Sequence, residues 1–135
     1  MNVYNSEHAY QVIGACIRIH RALGPGLFES VYDACLPKEL GKRGVPFERQ
    51  VEIPILYDGE KIGPAFRADF IVGGRLLIEL KSVERLHPLH SAQVLTYLRL
   101  SGLPQGLLIN FNVPILRHGI KSFLGPAARE LVSGQ

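Results

Sequence analysis

A short stretch in the middle of the chain carries the side chains best suited to chemistry. Asp69 lies ten residues before Glu79, and Lys81 follows two residues later. Between them, Gly73-Gly74 is flanked by β-branched and aliphatic runs, which predicts two antiparallel strands joined by a two-residue turn. Glu79 and Lys81 would then point to the same face, with Asp69 across the hairpin within reach of them.

These charged side chains need partners, because the rest of the predicted hairpin is apolar and charges in such surroundings are costly to desolvate. Two carboxylates suit a hard divalent cation, with oxygen ligands from Asp69, Glu79 and the Leu80 carbonyl. Lys81 would stand beside the metal rather than bind it. A surface hairpin with an ordinary ion pair is the alternative that these residues leave open.

Length and composition limit what such a site can belong to. The chain has 135 residues, of which 47% are hydrophobic and 20% charged, as in an ordinary globular domain. We expect one domain over residues 1–124 and a loosely held tail over residues 125–135. The net charge of +3 permits nucleic-acid binding without requiring it, because no dense block of Lys and Arg occurs.

Location and redox state can also be predicted. The first twenty residues lack the pattern of a signal peptide, and no apolar run approaches membrane-spanning length, so a cytoplasmic protein without a membrane partner is expected. Cys16 and Cys35 are spaced too widely for a zinc clip or a redox motif. Both lie on predicted apolar helix faces, which favours buried free thiols.

Two helices are predicted at the start of the chain. The first runs from about Ser6, as N-cap, to Leu23, and its buried residues recur at helical spacing: Ala9, Val12, Ile13, Cys16, Ile17 and His20. Gly24-Pro25-Gly26 ends it. A Gly-x-Gly that follows a helix rather than a strand is not a phosphate-binding loop, so no nucleotide cofactor is expected.

The second helix is predicted to begin near Leu27. Glu29 and Tyr32 are three residues apart and share a face, so one surface would carry a carboxylate and a phenol together. The simpler alternative is a first-turn Glu favoured by the helix dipole and a core Tyr. Pro37 removes a helical N–H and predicts a kink or a break before Lys38.

The remaining elements alternate between strands and a helix. Residues 45–57 predict a strand with Pro54 at an edge or bulge, and Asp58-Gly59 predicts a hairpin turn. A helix is predicted from Pro88 to about Leu100, closed by Gly102, with Gln93 and Tyr97 on one face. Residues 105–111 predict a buried central strand. A short final ribbon is predicted from Ile115, Leu116, Ile120 and Phe123.

This order of elements, together with Asp69 and Glu79-Leu80-Lys81, resembles the αβββαβ core of the PD-(D/E)xK nuclease superfamily. Ala68-Asp69 stands where the motif has Pro-Asp. The segment from Gly26 to Tyr32 matches the signature of the GxxExxY protein family, and Gln93 to Tyr97 is similar to the Gln-x-x-x-Tyr motif of the helicase-associated and exonuclease-like branch.

The resemblance implies an α/β, restriction-endonuclease-like fold with a mixed central sheet flanked by helices. It also implies a metal-dependent nuclease that hydrolyses DNA phosphodiester bonds. Mg²⁺ or Mn²⁺ would be held by Asp69, Glu79 and the Leu80 carbonyl, with Glu29 completing the shell through water. Lys81 would orient or deprotonate the attacking water and offset the developing charge.

Other residues are expected to contact the substrate or to support the site. Gln93, Tyr97 and Tyr32 are the predicted substrate-binding residues, and His20 is a weaker candidate for the site. DNA is the expected partner, and its strand preference stays open. The alternative to an enzyme is a non-catalytic nucleic-acid- or protein-binding module that retains the nuclease fold and acts through a partner or as a homodimer.

Overall fold

Two helices open the chain. The computed structural model of the protein describes residues 7–128, so Ser6, the predicted N-cap, lies outside the described residues. Helix α1 spans Glu7–Leu23 and α2 spans Glu29–Lys42. The buried residues of α1 are Ala9, Val12, Ala15, Cys16, Ile19 and His20, while Ile13 and Ile17 are partly buried against the same core. The buried stripe is therefore turned slightly from the predicted one.

Helix α2 continues through Pro37, so of the predicted kink or break before Lys38 the break is wrong. Proline cannot donate the backbone hydrogen bond that the carbonyl of Asp33 would accept from position 37. That carbonyl instead accepts a hydrogen bond from Nη2 of Arg49, at 3.3 Å, and the same guanidinium forms an ion pair with the Asp33 carboxylate at 2.6 Å. A side chain from the following strand thus satisfies the freed backbone oxygen.

A five-stranded sheet forms the centre of the molecule, and a two-stranded ribbon stands apart from it. The strands are β1 (Phe47–Ile53), β2 (Leu56–Tyr57), β3 (Glu60–Lys61), β4 (Phe66–Val72), β5 (Leu76–Lys81), β6 (Gln105–Asn110) and β7 (Ile120–Leu124). The sheet has the order β1-β4-β5-β6-β7, and only the β5–β6 pair is parallel. The β2–β3 ribbon turns at Asp58-Gly59, as predicted.

The parallel β5–β6 pair requires a crossover, which helix α3 (Pro88–Ser101) supplies. It begins at Pro88 and is closed by Gly102, whose φ of 73° is the left-handed conformation of a helix C-cap. Helices α1 and α2 pack on one face of the sheet through an apolar cluster that includes Phe70 and Ile78. Helix α3 packs on the other through Leu77 and Leu108. This mixed sheet flanked by helices confirms the predicted fold class.

The end of the described chain departs from the prediction in two ways. Leu116–Gly119 form a short 3₁₀ helix, and β7 joins the sheet edge beside β6 instead of forming a separate ribbon. Gly125 donates its N–H to the Pro104 carbonyl at 2.8 Å, and Ala128 is buried. Residues 125–128 are therefore attached to the rest of the domain, and the remainder of the predicted tail, residues 129–135, lies outside the described part.

Cys16 is buried and Cys35 partly buried, and both are free thiols. Burial raises the pKa of the Cys16 thiol to about 12. Among residues 7–128, no helix has the length and apolar character needed to cross a membrane.

Candidate active site

The two central strands separate at the residues that the sequence singled out. Strands β4 and β5 pair from the Gly73-Gly74 turn as far as Phe70 and Ile78, and their ladder stops there. Beyond that point β4 continues beside β1, and β5 continues beside β6 as far as Lys81. The sheet thus opens into a fork, with Asp69 on one arm and Glu79 on the other.

The two carboxylates bridge the fork in place of ladder hydrogen bonds. The N–H of Asp69 donates to Oε1 of Glu79 at 3.1 Å, and the N–H of Leu80 donates to Oδ2 of Asp69 at 2.8 Å. Each carboxylate therefore satisfies a backbone donor that the separation of the strands left free. The second oxygen of each carboxylate accepts no hydrogen bond within the described residues.

Burial makes these carboxylates hard to ionise. Glu79 is only 9% exposed, and its pKa rises to about 8 because of burial first and the charge of Asp69 second. The pKa of Asp69 rises to about 6, again mainly through burial, although the hydrogen bond from Leu80 opposes the rise. Because the charge of Asp69 opposes the ionisation of Glu79, the site favours a positive ion between the two carboxylates.

Lys81 supplies positive charge beside the pair without neutralising it. Its ammonium lowers the pKa of Glu29, Asp69 and Glu79 alike, yet it forms no ion pair within residues 7–128. Glu29, the first residue of α2, is an exposed residue whose carboxyl is partly desolvated, and this desolvation raises its pKa despite the nearby Lys81. The structure therefore brings all four predicted charged residues within electrostatic range of one another.

A family comparison agrees with this geometry. Residues 6–123 match the family model described as the PD-(D/E)XK nuclease superfamily. The chain belongs to the PD-(D/E)XK nuclease superfamily. No curated protein and no solved structure gives a significant match. The narrower GxxExxY likeness continues to rest on Gly26 to Tyr32 alone.

Nucleases of this superfamily generally use divalent metal ions, and the donor set at the fork fits one only in part. Asp69 and Glu79 each keep an oxygen for a hard cation. The Lys81 carbonyl accepts a hydrogen bond from the N–H of Phe111, just after β6. Because successive carbonyls of a strand point in opposite directions, the Leu80 carbonyl faces the fork. Ligation of a metal by the Leu80 carbonyl stays a prediction.

The position of Glu29 limits its role at such a site. Within residues 7–128, no three His, Cys, Asp or Glu side chains lie close enough together to hold an ion. Direct ligation by Glu29 beside Asp69 and Glu79 is therefore not supported. A contact through water, as the sequence suggested, remains compatible with its place in the site.

Helix α3 covers the face of the sheet toward which Glu79 points. Leu77, two residues earlier on β5, packs against α3, so strand alternation directs Glu79 to the same side. The pKa of Tyr97 is raised, first by burial and then by the charges of Glu79 and Asp69, and its ring stacks on Phe66. Gln93 lies half-buried one helical turn earlier. Tyr97 thus lies near the carboxylates.

Tyr32 does not lie on the site surface, although it is three residues from Glu29. Its side chain is fully buried and stacks on Phe111 with ring centroids 4.3 Å apart. Its hydroxyl donates to the Gly24 carbonyl at 2.6 Å and accepts the Leu27 N–H at 3.3 Å. The predicted substrate-binding role is therefore corrected: Tyr32 holds the loop between α1 and α2.

His20 also belongs to the core. It is buried at the end of α1, and its Nε2 hydrogen-bonds the Val113 carbonyl at 2.7 Å. His87 and His90 serve the start of α3: Nδ1 of His87 accepts the Leu89 N–H, and Nδ1 of His90 accepts the His87 N–H. All three histidines thus have structural roles.

Asn110 is a residue of the site region that the sequence reasoning missed. It is buried at the end of β6, in register with Lys81. Its side chain accepts the N–H of Val83 and donates to the carbonyl of the same residue, both at 3.0 Å. Asn110 therefore fixes the chain immediately after Lys81. A polar residue at the end of an otherwise apolar strand was the signal that could have identified it.

Proposed function

We propose that the protein is a metal-dependent nuclease that hydrolyses phosphodiester bonds of DNA at the fork between β4 and β5. The observation that carries the proposal is the pairing of Asp69 and Glu79 across the fork, with Lys81 two residues beyond Glu79 on the same face. An ordinary surface hairpin would not bury two mutually repelling carboxylates, because their desolvation is unfavourable without a compensating cation.

The residues of the site have separable tasks. Asp69 and Glu79 would hold Mg²⁺ or Mn²⁺ through the oxygens that the backbone does not use, and the Leu80 carbonyl faces the same opening. When bound, such a cation supplies positive charge that polarises the scissile phosphate and acidifies a water molecule. Lys81 would orient that water and offset the negative charge that develops on the phosphate.

Two further residues would position the substrate. Tyr97 on α3 lies within electrostatic range of the carboxylates, and Gln93 lies on the helical turn before it. A phenol and an amide at this place can hydrogen-bond to the sugar–phosphate backbone or to water around the cation. The carboxylate of Glu29 would contact the cation's water shell from the start of α2.

Cleavage assays test the proposal. Supercoiled plasmid and linear single-stranded DNA should be cleaved with Mn²⁺ or Mg²⁺, and not with EDTA. Lys81→Met removes only the ammonium, so Mn²⁺ should bind at least as well by calorimetry while cleavage falls by about 10² or more. Asp69→Asn should lose Mn²⁺ affinity and cleavage together, because the amide is a weaker ligand for a hard cation.

A matched control separates the role of Lys81 from a general loss of positive charge. Lys38→Met removes a lysine from α2, about 13 Å along the helix axis from Glu29. This variant should cleave like the wild type. If Lys81→Met also cleaves like the wild type, the mechanism is wrong. If the wild type binds DNA and cleaves none with any cation, the protein is a binding module that retains the nuclease fold.

A further inference from the structure

Phe28 is the most exposed large hydrophobic side chain of the described residues. It is 83% exposed, although phenylalanine is normally buried in folded proteins. Phe28 is also the N-cap of α2, and its side chain makes no capping hydrogen bond. Ser, Thr, Asp or Asn at this position would stabilise the helix. Phenylalanine gives no such stabilisation, and its ring is exposed to solvent.

The backbone that carries this ring is firmly held. The Phe28 carbonyl accepts the N–H of Val31 at 3.0 Å. The preceding residue, Leu27, accepts a hydrogen bond from the Ser82 hydroxyl at 2.6 Å and donates its N–H to the buried Tyr32. These contacts fix the base of the side chain, so less conformational freedom is lost when the exposed ring meets a ligand.

The same contacts place Phe28 at the mouth of the site. Ser82, which is bonded to Leu27, directly follows Lys81 in the chain. Glu29, which directly follows Phe28, lies within electrostatic range of Lys81 and Asp69. The residue before Phe28 is thus hydrogen-bonded to the residue that follows β5, and the residue after Phe28 is one of the charged residues of the site.

From this arrangement we infer that Phe28 stacks on a nucleobase next to the scissile phosphate, and that the substrate is an unpaired strand. The inference rests on the function proposed above. Aromatic rings bind single strands by stacking on base faces, and in a duplex those faces are covered by neighbouring bases. The net charge of +3 gives only modest attraction to phosphates, so stacking adds affinity where the charge supplies little.

Binding measured by fluorescence anisotropy in EDTA tests the inference without cleavage. The probes are a labelled single-stranded oligonucleotide, its duplex, and the same strand with abasic sites. Phe28→Ala should weaken binding of the intact single strand on the order of tenfold and leave duplex binding unchanged. Phe28→Tyr should bind like the wild type. The abasic strand should bind wild type and Phe28→Ala equally, because the partner of the ring is absent.

Tyr10→Ala is the matched control. Tyr10 is 72% exposed on α1, two residues from His8, which packs against Gly73 at the opposite end of β5 from Lys81. This variant should not change binding of any probe. Equal weakening of single-strand, duplex and abasic probes by Phe28→Ala would overturn the inference, as would no weakening at all.

Cleavage by the same proteins with Mn²⁺ distinguishes failure of the inference from failure of the proposed function. Phe28-dependent binding of single strands without any cleavage would support the stacking role and refute the nuclease. Metal-dependent cleavage that Phe28→Ala leaves unchanged on both single strands and duplex would support the nuclease and refute the stacking role.

Discussion

Replacing Glu79 by Gln should remove a pH-dependent instability from the metal-free protein. The folded state raises the Glu79 pKa from 4.5 to about 8, so it binds this proton more tightly than the unfolded state does. The protonated Glu79 carboxyl therefore makes its full contribution to the free energy of unfolding at low pH. This contribution falls as the pH rises from about 4.5 toward 8. Asp69 adds a change of the same sign at lower pH.

The size of the effect follows from the pKa change. A pKa change of one unit corresponds to about 1.4 kcal/mol. The change in the Glu79 pKa from 4.5 to about 8 therefore limits its effect on the free energy of unfolding to about 5 kcal/mol. Because Asp69 across the fork can shift as Glu79 ionises, the actual change in the free energy of unfolding should be smaller than this ceiling. We expect about 2 kcal/mol. In a domain of this length that corresponds to about 7 °C in Tm. The glutamine side chain would retain an oxygen that can accept the Asp69 N–H.

Thermal unfolding in EDTA between pH 5 and pH 9 measures the difference. Wild type should lose stability relative to Glu79→Gln as the pH rises. Glu52→Gln, an exposed carboxylate paired with Arg67 on the neighbouring strand, should follow the wild type. Adding millimolar Mn²⁺ should raise the Tm of the wild type and not that of Glu79→Gln. A constant difference between these two proteins at all pH values would refute the reasoning.

Two substitutions test the corrected residues. Tyr32→Phe removes the hydroxyl that donates to the Gly24 carbonyl, so it should lower the free energy of unfolding in urea by about 1 to 2 kcal/mol and leave Mn²⁺ affinity unchanged. A loss of Mn²⁺ affinity would show that Tyr32 takes part in the site. Pro37→Ala restores a helical donor for the Asp33 carbonyl and should stabilise the protein by about 1 kcal/mol. If Pro37→Ala destabilises the protein, the hydrogen bond from Arg49 to the Asp33 carbonyl contributes more to stability than the restored helical hydrogen bond.

The central hairpin could be predicted because its determinants are local. Gly73 and Gly74 adopt φ values of 61° and 68°, which favour glycine, and the flanking runs have the composition of strands. The predicted two-residue turn is wrong in length, because Arg75 also lies in the turn between Val72 and Leu76. The pairing of Glu79 with Lys81 on one face follows from strand alternation in the same way. The family resemblance added the order of the elements, which the structure reproduces up to β6.

The features that the sequence did not predict depend on contacts between distant residues. Arg49 lies far from Asp33 in the chain, so nothing near Pro37 indicates that the helix continues. Helical spacing placed Glu29 and Tyr32 on one face, but that face crosses the edge of the core. Tyr32 is therefore buried, while Glu29 is an exposed residue. Spacing alone does not locate that edge.

The fork explains why the informative substitutions keep an oxygen at each position. The carboxylate of Asp69 accepts the Leu80 N–H, and that of Glu79 accepts the N–H of Asp69, so each closes a gap in the sheet as well as offering a ligand. An alanine would leave a partly buried N–H unsatisfied, at a cost of about 1 to 3 kcal/mol, and would confuse lost chemistry with a loosened sheet. Asn and Gln can still accept the bond, so a loss of Mn²⁺ affinity in these variants reports the charge itself.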